Sequence, residues 1–339
     1  MSPLATLAHV KWFEDPSRYP LQIGLLPSER TAIFIAACVL SLAVLYLAQR
    51  IAGDPHWPNF SFFQTMAIGA PTLLAVQAAI GLVHAAVQPS LFAPNLRLEP
   101  NALGLALAAI AILVAFSFIT GIGDWAGAIV LLLLVLLAFV LFPPLDALSQ
   151  LFWAGIALFV LIIGRPAVSV GQLRRWFARR SSAWSARAIA GLRIITGISI
   201  VAPALDEKVW NPAIGAAFVA SHPQFNFMRA FLGLHWFTDD LFVLAAGVAE
   251  GIIGVLLISG LLTRIVILGM WVPFNVAIPF LPPTELLGHL PILGIMYLLL
   301  VHSSGIAPGE SVDTQQAPGT PTLHAAESRE RLADGERTA

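Results

Sequence analysis

The chain has one cysteine, Cys38, so it can close no disulfide and hold no dithiol redox pair of its own. Electron transfer would need a cofactor or a partner. Charged residues are scarce, 11% of the total against about 25% in an ordinary soluble domain. With a net charge of −1 and six of its eighteen basic residues clustered in one loop, the chain is not expected to bind nucleic acid. It also lacks HExxH, a cysteine cluster, a carboxylate pair at ligand spacing and a Gly-rich turn between strand and helix. Neither a resident metal nor a nucleotide is therefore expected. Residues 1–30, which include HVKWFEDPSRYP, lack the short apolar core and small-residue cleavage site of a signal peptide, and read as mature chain at a membrane interface.

What the chain has in abundance is apolar surface: 58% hydrophobic residues and a mean hydropathy of +0.83. A bilayer core of about 30 Å takes roughly 20 apolar residues per helix. Stretches of that kind lie near 31–49, 66–87, 102–120, 125–142, 145–164, 188–204, 241–259, 263–281 and 286–302. The expected fold is an all-α polytopic membrane protein of about nine transmembrane helices. The last segment, 304–339, is polar, rich in Pro, Gly, Thr and Glu, and reads as a disordered tail.

The basic loop 165–187 carries six arginines and no acid, which places it on the cytoplasmic side. Its Leu173, Trp176 and Phe177 suit a helix lying among anionic headgroups. Counting outward puts the N-terminus and segment 205–240 outside and the tail inside, in a cytoplasmic membrane. Segment 205–240 is broken by Pro212 and Pro223 and reads as a cap on the outer face. Its Asp206, Glu207, Lys208, His222, His235, Asp239 and Asp240 read mainly as solvated interface, with a pocket mouth or docking surface as the alternative.

An internal repeat organises the rest. PPLDALSQLFWAGI at Pro143 and PPTELLGHLPILGI at Pro282 match at six of fourteen positions without a gap, 139 residues apart. The same offset aligns TGIGDWAG at Thr120 with SGLLTRIV at Ser259. The reading is a lone helix, 31–50, followed by two four-helix modules, 66–164 and 188–303, parallel in the membrane. At this offset Glu250 faces Ala111, His289 faces Gln150 and Arg264 faces Trp125, so the first module does without these polar groups. A purely structural need for them would be felt in both modules.

Glu250 lies about nine residues inside its helix, roughly 14 Å deep, where a carboxylate is costly and faces a bundle interior, a partner or a proton. It is the leading site candidate, protonated or paired with Arg193. His289 follows Glu285 by four residues, on one helix face, an arrangement found in proton relays. Glu285 also suits the positive end of its helix, and Asp146 keeps that acid in the first module. Arg264 reads as a topology anchor. His84 and His289 are the histidines that a haem would need, and nothing beside them supports one.

The second module resembles the DoxX family, on GLRIITGISI with Arg193 and Gly197, DEKVWNP with Lys208, and AEGIIGVLLISGLLTR with Glu250, Gly254, Gly260 and Arg264. The resemblance covers residues 190–302, and the first module looks like a degenerate copy. It implies a membrane subunit of the thiosulfate:quinone oxidoreductase kind, or a membrane anchor for redox proteins, with a quinone and a soluble redox partner. Glu250, His289 and Arg193 would then be the working residues, with Lys208, His235 and Glu285 around the substrate. The alternative from a different class is a proton-coupled transporter or export component for a small or lipidic substrate.

Overall fold

The computed structural model describes residues 10–12, 14, 16–53, 61–164, 182–277 and 283–302. Most of the basic loop and the whole C-terminal tail lie outside these, as do the expectations attached to them. Every described element is helical, apart from an isolated antiparallel bridge between Ser90 and Arg97.

The helix ends follow local chemistry. Helix α1, Glu29–Ala52, starts where Ser28 Oγ accepts the Thr31 N–H, with Glu29 in the first turn. Helix α2 spans Ser61–Val87 and α3 spans Ala102–Thr120, capped by Asn101, which accepts from Gly104 N. Helix α3 ends on left-handed Gly121 (φ 74°), a conformation without steric cost only for glycine. Helix α4 is Asp124–Leu141.

The stretch 145–164 forms two helices, α5 (Pro144–Ser149) and α6 (Phe152–Ile163). Between them Ser149 Oγ donates to Asp146 O and Gln150 Nε2 donates to Ser149 Oγ, local bonds that compete with a continuous ladder. Helix α7, Ser182–Pro203, runs on into a π turn, Ala204–Val209, just where Pro203 withholds a backbone donor. Short helices α8 (Pro212–Ser221) and α9 (Phe227–Ala230) follow. Helix α10, Asp239–Ser259, begins at Thr238, whose Oγ1 accepts from Leu241 N, and ends on left-handed Gly260. Helices α11 (Thr263–Ala277) and α12 (Pro283–His302) complete the described residues.

Among the described residues, six segments are long and apolar enough to cross a membrane: Glu29–Ala52, Gly69–Val87, Ala102–Thr120, Asp124–Leu141, Trp184–Val209 and Asp239–Ser259. The apolar parts described for the other three expected spans are shorter: Phe152–Ile163, Thr263–Val272 and Leu286–His302.

Helix α2 packs against α3 and α12, and α7 against α6 and α10. Helix α4 contacts α3 and α6, while α11 contacts α10 and α12. One large core joins them, centred on side chains such as Leu74, Phe118, Trp153, Leu192 and Leu257. Helix α1 packs on α10 and the π turn and leaves most of its surface exposed. Along one contact its Phe34 and Cys38 bury against Gly251, where a Cβ would collide with the Phe34 ring.

Segment 205–240 is less of a surface cap than its composition suggests. Asp206, Glu207 and Lys208 are buried because the π turn carries them inward against α10. Ile214, Phe218, Val219 and Phe225 form a second core with Val10, Phe242 and Val243. The later part, with Phe231 and Trp236, is exposed.

Candidate functional site

Helices α7 and α10 cross closely because each offers a glycine. A Cβ at Gly197 would lie 2.6 Å from Gly254 O, and one at Gly254 would lie 2.8 Å from Gly197 O. Further along, Gly247 lets the π turn come close: a Cβ there would meet Lys208 Cβ at 2.9 Å and Ala204 O at 3.3 Å. The crossing therefore delivers Lys208 to Glu250. Lys208 Nζ lies 2.8 Å from Glu250 Oε2, with side-chain exposures of 4% and 23%.

This pair belongs to a larger charged cluster. Glu207 Oε2 accepts the Val10 backbone N–H at 2.7 Å in a buried contact. The Lys11 ammonium donates to Asp146 Oδ1 at 2.6 Å and also to Asp206 Oδ2. Lys11 is thus held between a carboxylate from α5 and one from the π turn. Burial disfavours its charge, but Asp206 and Asp146 outweigh that and hold its pKa above the ordinary lysine value. Among the described residues the cluster contains four carboxylates, Asp146, Asp206, Glu207 and Glu250, and two ammonium groups, Lys11 and Lys208.

Arg193, expected as the partner of Glu250, is placed elsewhere. Its guanidinium donates to Leu257 O and, at 3.0 Å, to Ile258 O, carbonyls at the open end of α10. Leu257 is seven residues past Glu250, about 10 Å along the helix. The guanidinium also packs on Gly260, where a Cβ would meet Arg193 Cζ at 2.9 Å. Arg264 does the same work at the end of α12, donating to Leu300 O and Val301 O, both at 2.9 Å. Cations at helix C-termini satisfy orphan carbonyls and oppose the helix dipole.

His289 is buried on α12, and Gln150, its partner at the 139-residue offset, is buried after α5. Glu285 stands in the first turn of α12, and its side chain lies outside the described residues. His235 is exposed in the turn after Gly233. The structure brings Lys208 and Glu250 together and leaves His235 and Arg193 at other places. Asp146, Asp206, Glu207 and Lys11 join the site; Asp206 and Glu207, read from the sequence mainly as solvated interface, are buried instead, and Lys11 had not stood out. For Asp146 a signal existed, an acid held at the same repeat position as Glu285, but a helix-dipole role accounted for it equally well.

No group of three or more His, Cys, Asp or Glu among the described residues is placed to hold a metal ion. The arrangement sets carboxylates and ammonium groups against one another largely out of water, where each charge depends on its counterion.

By the length and composition of its helices, the chain is in the class of multi-pass helical membrane proteins. Comparison with family models, curated proteins and solved structures finds no match to it.

Proposed function

We propose that the protein is a proton-coupled transporter or export component for a small or lipidic substrate, in a cytoplasmic membrane. The observation that carries this reading is the buried ionic cluster, which ties Asp146 of α5 to Asp206 and Lys208 of the π turn and, through Lys208, to Glu250 of α10. Charges this costly inside a membrane fold mark ion or substrate pathways. An ionic link between two parts of a bundle is also a contact that can break and reform as those parts move.

Nine spans in two parallel four-helix modules after a lone helix belong to the same proposal. What supports the duplication is agreement at the 139-residue offset. Gly121 and Gly260 both end helices in the left-handed conformation, and each donates its N–H to the carbonyl four residues earlier. Ile122 N donates to Thr120 Oγ1 and Leu261 N to Ser259 Oγ, both at 3.2 Å. Gly155 sits against Leu192 and Ile195 of α7, and Gly294, 139 residues on, sits against Leu74 and Gln77 of α2. Each module's last helix would then pack on the other module's first.

Membership of the DoxX family is likewise a proposal. In its favour, the motif residues meet in pairs across α7 and α10: Gly197 with Gly254, Arg193 with Gly260, Lys208 with Glu250. The quinone-linked reading, with a soluble redox partner, rests on that resemblance alone.

The test is proton entry into sealed vesicles of native polar lipid, driven by a potassium–valinomycin potential and followed with an internal pH dye. The wild type should acidify the lumen, and a folded Glu250→Gln variant should not. Equal rates in wild type, variant and empty vesicles would sink the transport reading. Chromatography of a solvent extract is the companion measurement: a quinone held by the wild type and lost in Glu250→Gln would put the redox reading in its place.

A further inference from the structure

We propose that residues 226–239 are an interfacial anchor: an aromatic loop, held shut by Asn226, that seats in the polar–apolar boundary of the bilayer beside the first turn of α10. Asn226 is buried, and its side chain ties both ends of the loop. Its Nδ2 donates to Phe237 O at 3.0 Å and to Asp239 Oδ1 at 2.9 Å, while its Oδ1 accepts the Arg229 N–H at 3.3 Å. Within the loop Leu234 N donates to Met228 O and Phe237 N to Leu234 O. Phe225 and Phe237 pack on the second core and fix the base. A loop pinned in this way leaves its other apolar side chains outside: Phe227, Phe231, Leu232 and Trp236 are 48–70% exposed.

The place of the loop is given by Phe227, whose ring meets Phe242 edge-on at 6.2 Å, and by Arg229, whose guanidinium lies 3.6 Å from Asp239. Phe242 is the fourth residue of α10, and Leu241 beside it opens an exposed apolar stripe with Ala245 and Ala249. The loop therefore stands where a span long enough to cross the membrane begins. At that level a tryptophan ring lies among the upper acyl chains while its N–H meets the headgroups, and phenylalanine and leucine are taken up by the chains. Arg229 and His235 are exposed among these side chains, a mixture that suits the boundary, where water and phosphates serve the polar groups. A face meant for a soluble partner would stand clear of the bilayer, whereas Phe227 holds this one against the first turn of a span. The inference rests on the membrane class of the chain and is independent of the transport reading.

The experiment reads depth. In full-length protein in nanodiscs of mixed zwitterionic and anionic phospholipid, with Cys38→Ala as background, a nitroxide is attached at Phe231→Cys or at Leu232→Cys in separate variants. Power-saturation electron paramagnetic resonance then compares collisions with oxygen, which concentrates among acyl chains, and with a water-soluble nickel chelate. Leu133→Cys, on the exposed face of α4 in mid-span, sets the acyl-chain reference. Both loop labels should collide severalfold more with oxygen than with nickel, approaching that reference. Asn226→Ala, which unties the loop, should shift the Leu232 label toward nickel. The proposal is overturned if nickel dominates at both loop labels, the result of a loop in water. It is equally overturned if both collision rates are low, the result of a seat against protein. An unchanged oxygen preference in Asn226→Ala would overturn the part given to Asn226. Nickel dominating at Leu133→Cys would overturn the membrane class, and this proposal with it.

Discussion

Lys208 and Glu250 form an ion pair at 2.8 Å across the crossing of α7 and α10, one partner fully enclosed and the other part-exposed. Removing one member of a buried pair leaves a charge without its counterion and costs about 3–5 kcal/mol, whereas replacing both with apolar groups is often neutral. Lys208→Met should therefore lower the thermal midpoint in mild detergent sharply, and the double variant Lys208→Met/Glu250→Leu should recover most of that loss. Additive losses in the two single variants and the double would show that the pair is not coupled.

The glycine crossing is expected to tolerate no side chain. Gly254→Ala puts a methyl 2.5 Å from Val201 Cγ2 and 2.8 Å from the Gly197 carbonyl, and overpacking of this kind costs about 1–3 kcal/mol. Gly191→Ala, at a helical glycine with nothing within 4 Å, is the matched control and should be neutral or stabilising. Thermal unfolding of the two variants side by side tests this, and equal midpoints would count against close packing at Gly254.

Arg193 serves the C-terminal carbonyls of α10. Arg193→Met should leave Leu257 O and Ile258 O without their donor, and amide exchange by mass spectrometry should accelerate at residues 257–262 with little change around Lys208. Arg193→Lys should rescue part of the protection. Faster exchange centred on Glu250 instead would assign Arg193 to the ion pair.

Lys11 predicts a pH dependence with a definite sign. Its pKa in the folded protein is raised above the ordinary 10.5, because the attraction of Asp206 and Asp146 exceeds the opposing effect of burial. A raised pKa contributes stability that is fully present below the unfolded value and is lost as pH rises through the folded one. The midpoint difference between wild type and Lys11→Gln should hold constant from pH 7 to about pH 10 and shrink only above the ordinary lysine value. A difference that disappears nearer neutrality would mean that another group governs the contact.

Much of the architecture was legible along the chain. Apolar runs of span length are local signals, because a helix is closed by bonds between residues four apart. The caps Ser28, Asn101 and Thr238 and the glycines that end α3 and α10 are of the same local kind but emerged only in the structure. Glu250 was legible for a similar reason, as a carboxylate in an apolar helix stands out against its own neighbours. The break between α5 and α6 was not, since it turns on the side chains of Ser149 and Gln150 within an otherwise apolar run.

By itself the sequence determined the helical class, the apolar character of the spans and the presence of an expensive carboxylate at position 250. Which cation would answer that carboxylate was decided only by the tertiary structure. Arg193 and Lys208 lie on the same helical stretch, and the glycine crossing chose between them by bringing the π turn, not the middle of α7, to Glu250. The link from Lys11 to Asp146 and Asp206 spans 135 and 195 residues. No periodicity encodes such a contact, because charges attract through space and the packing of distant helices sets which of them meet.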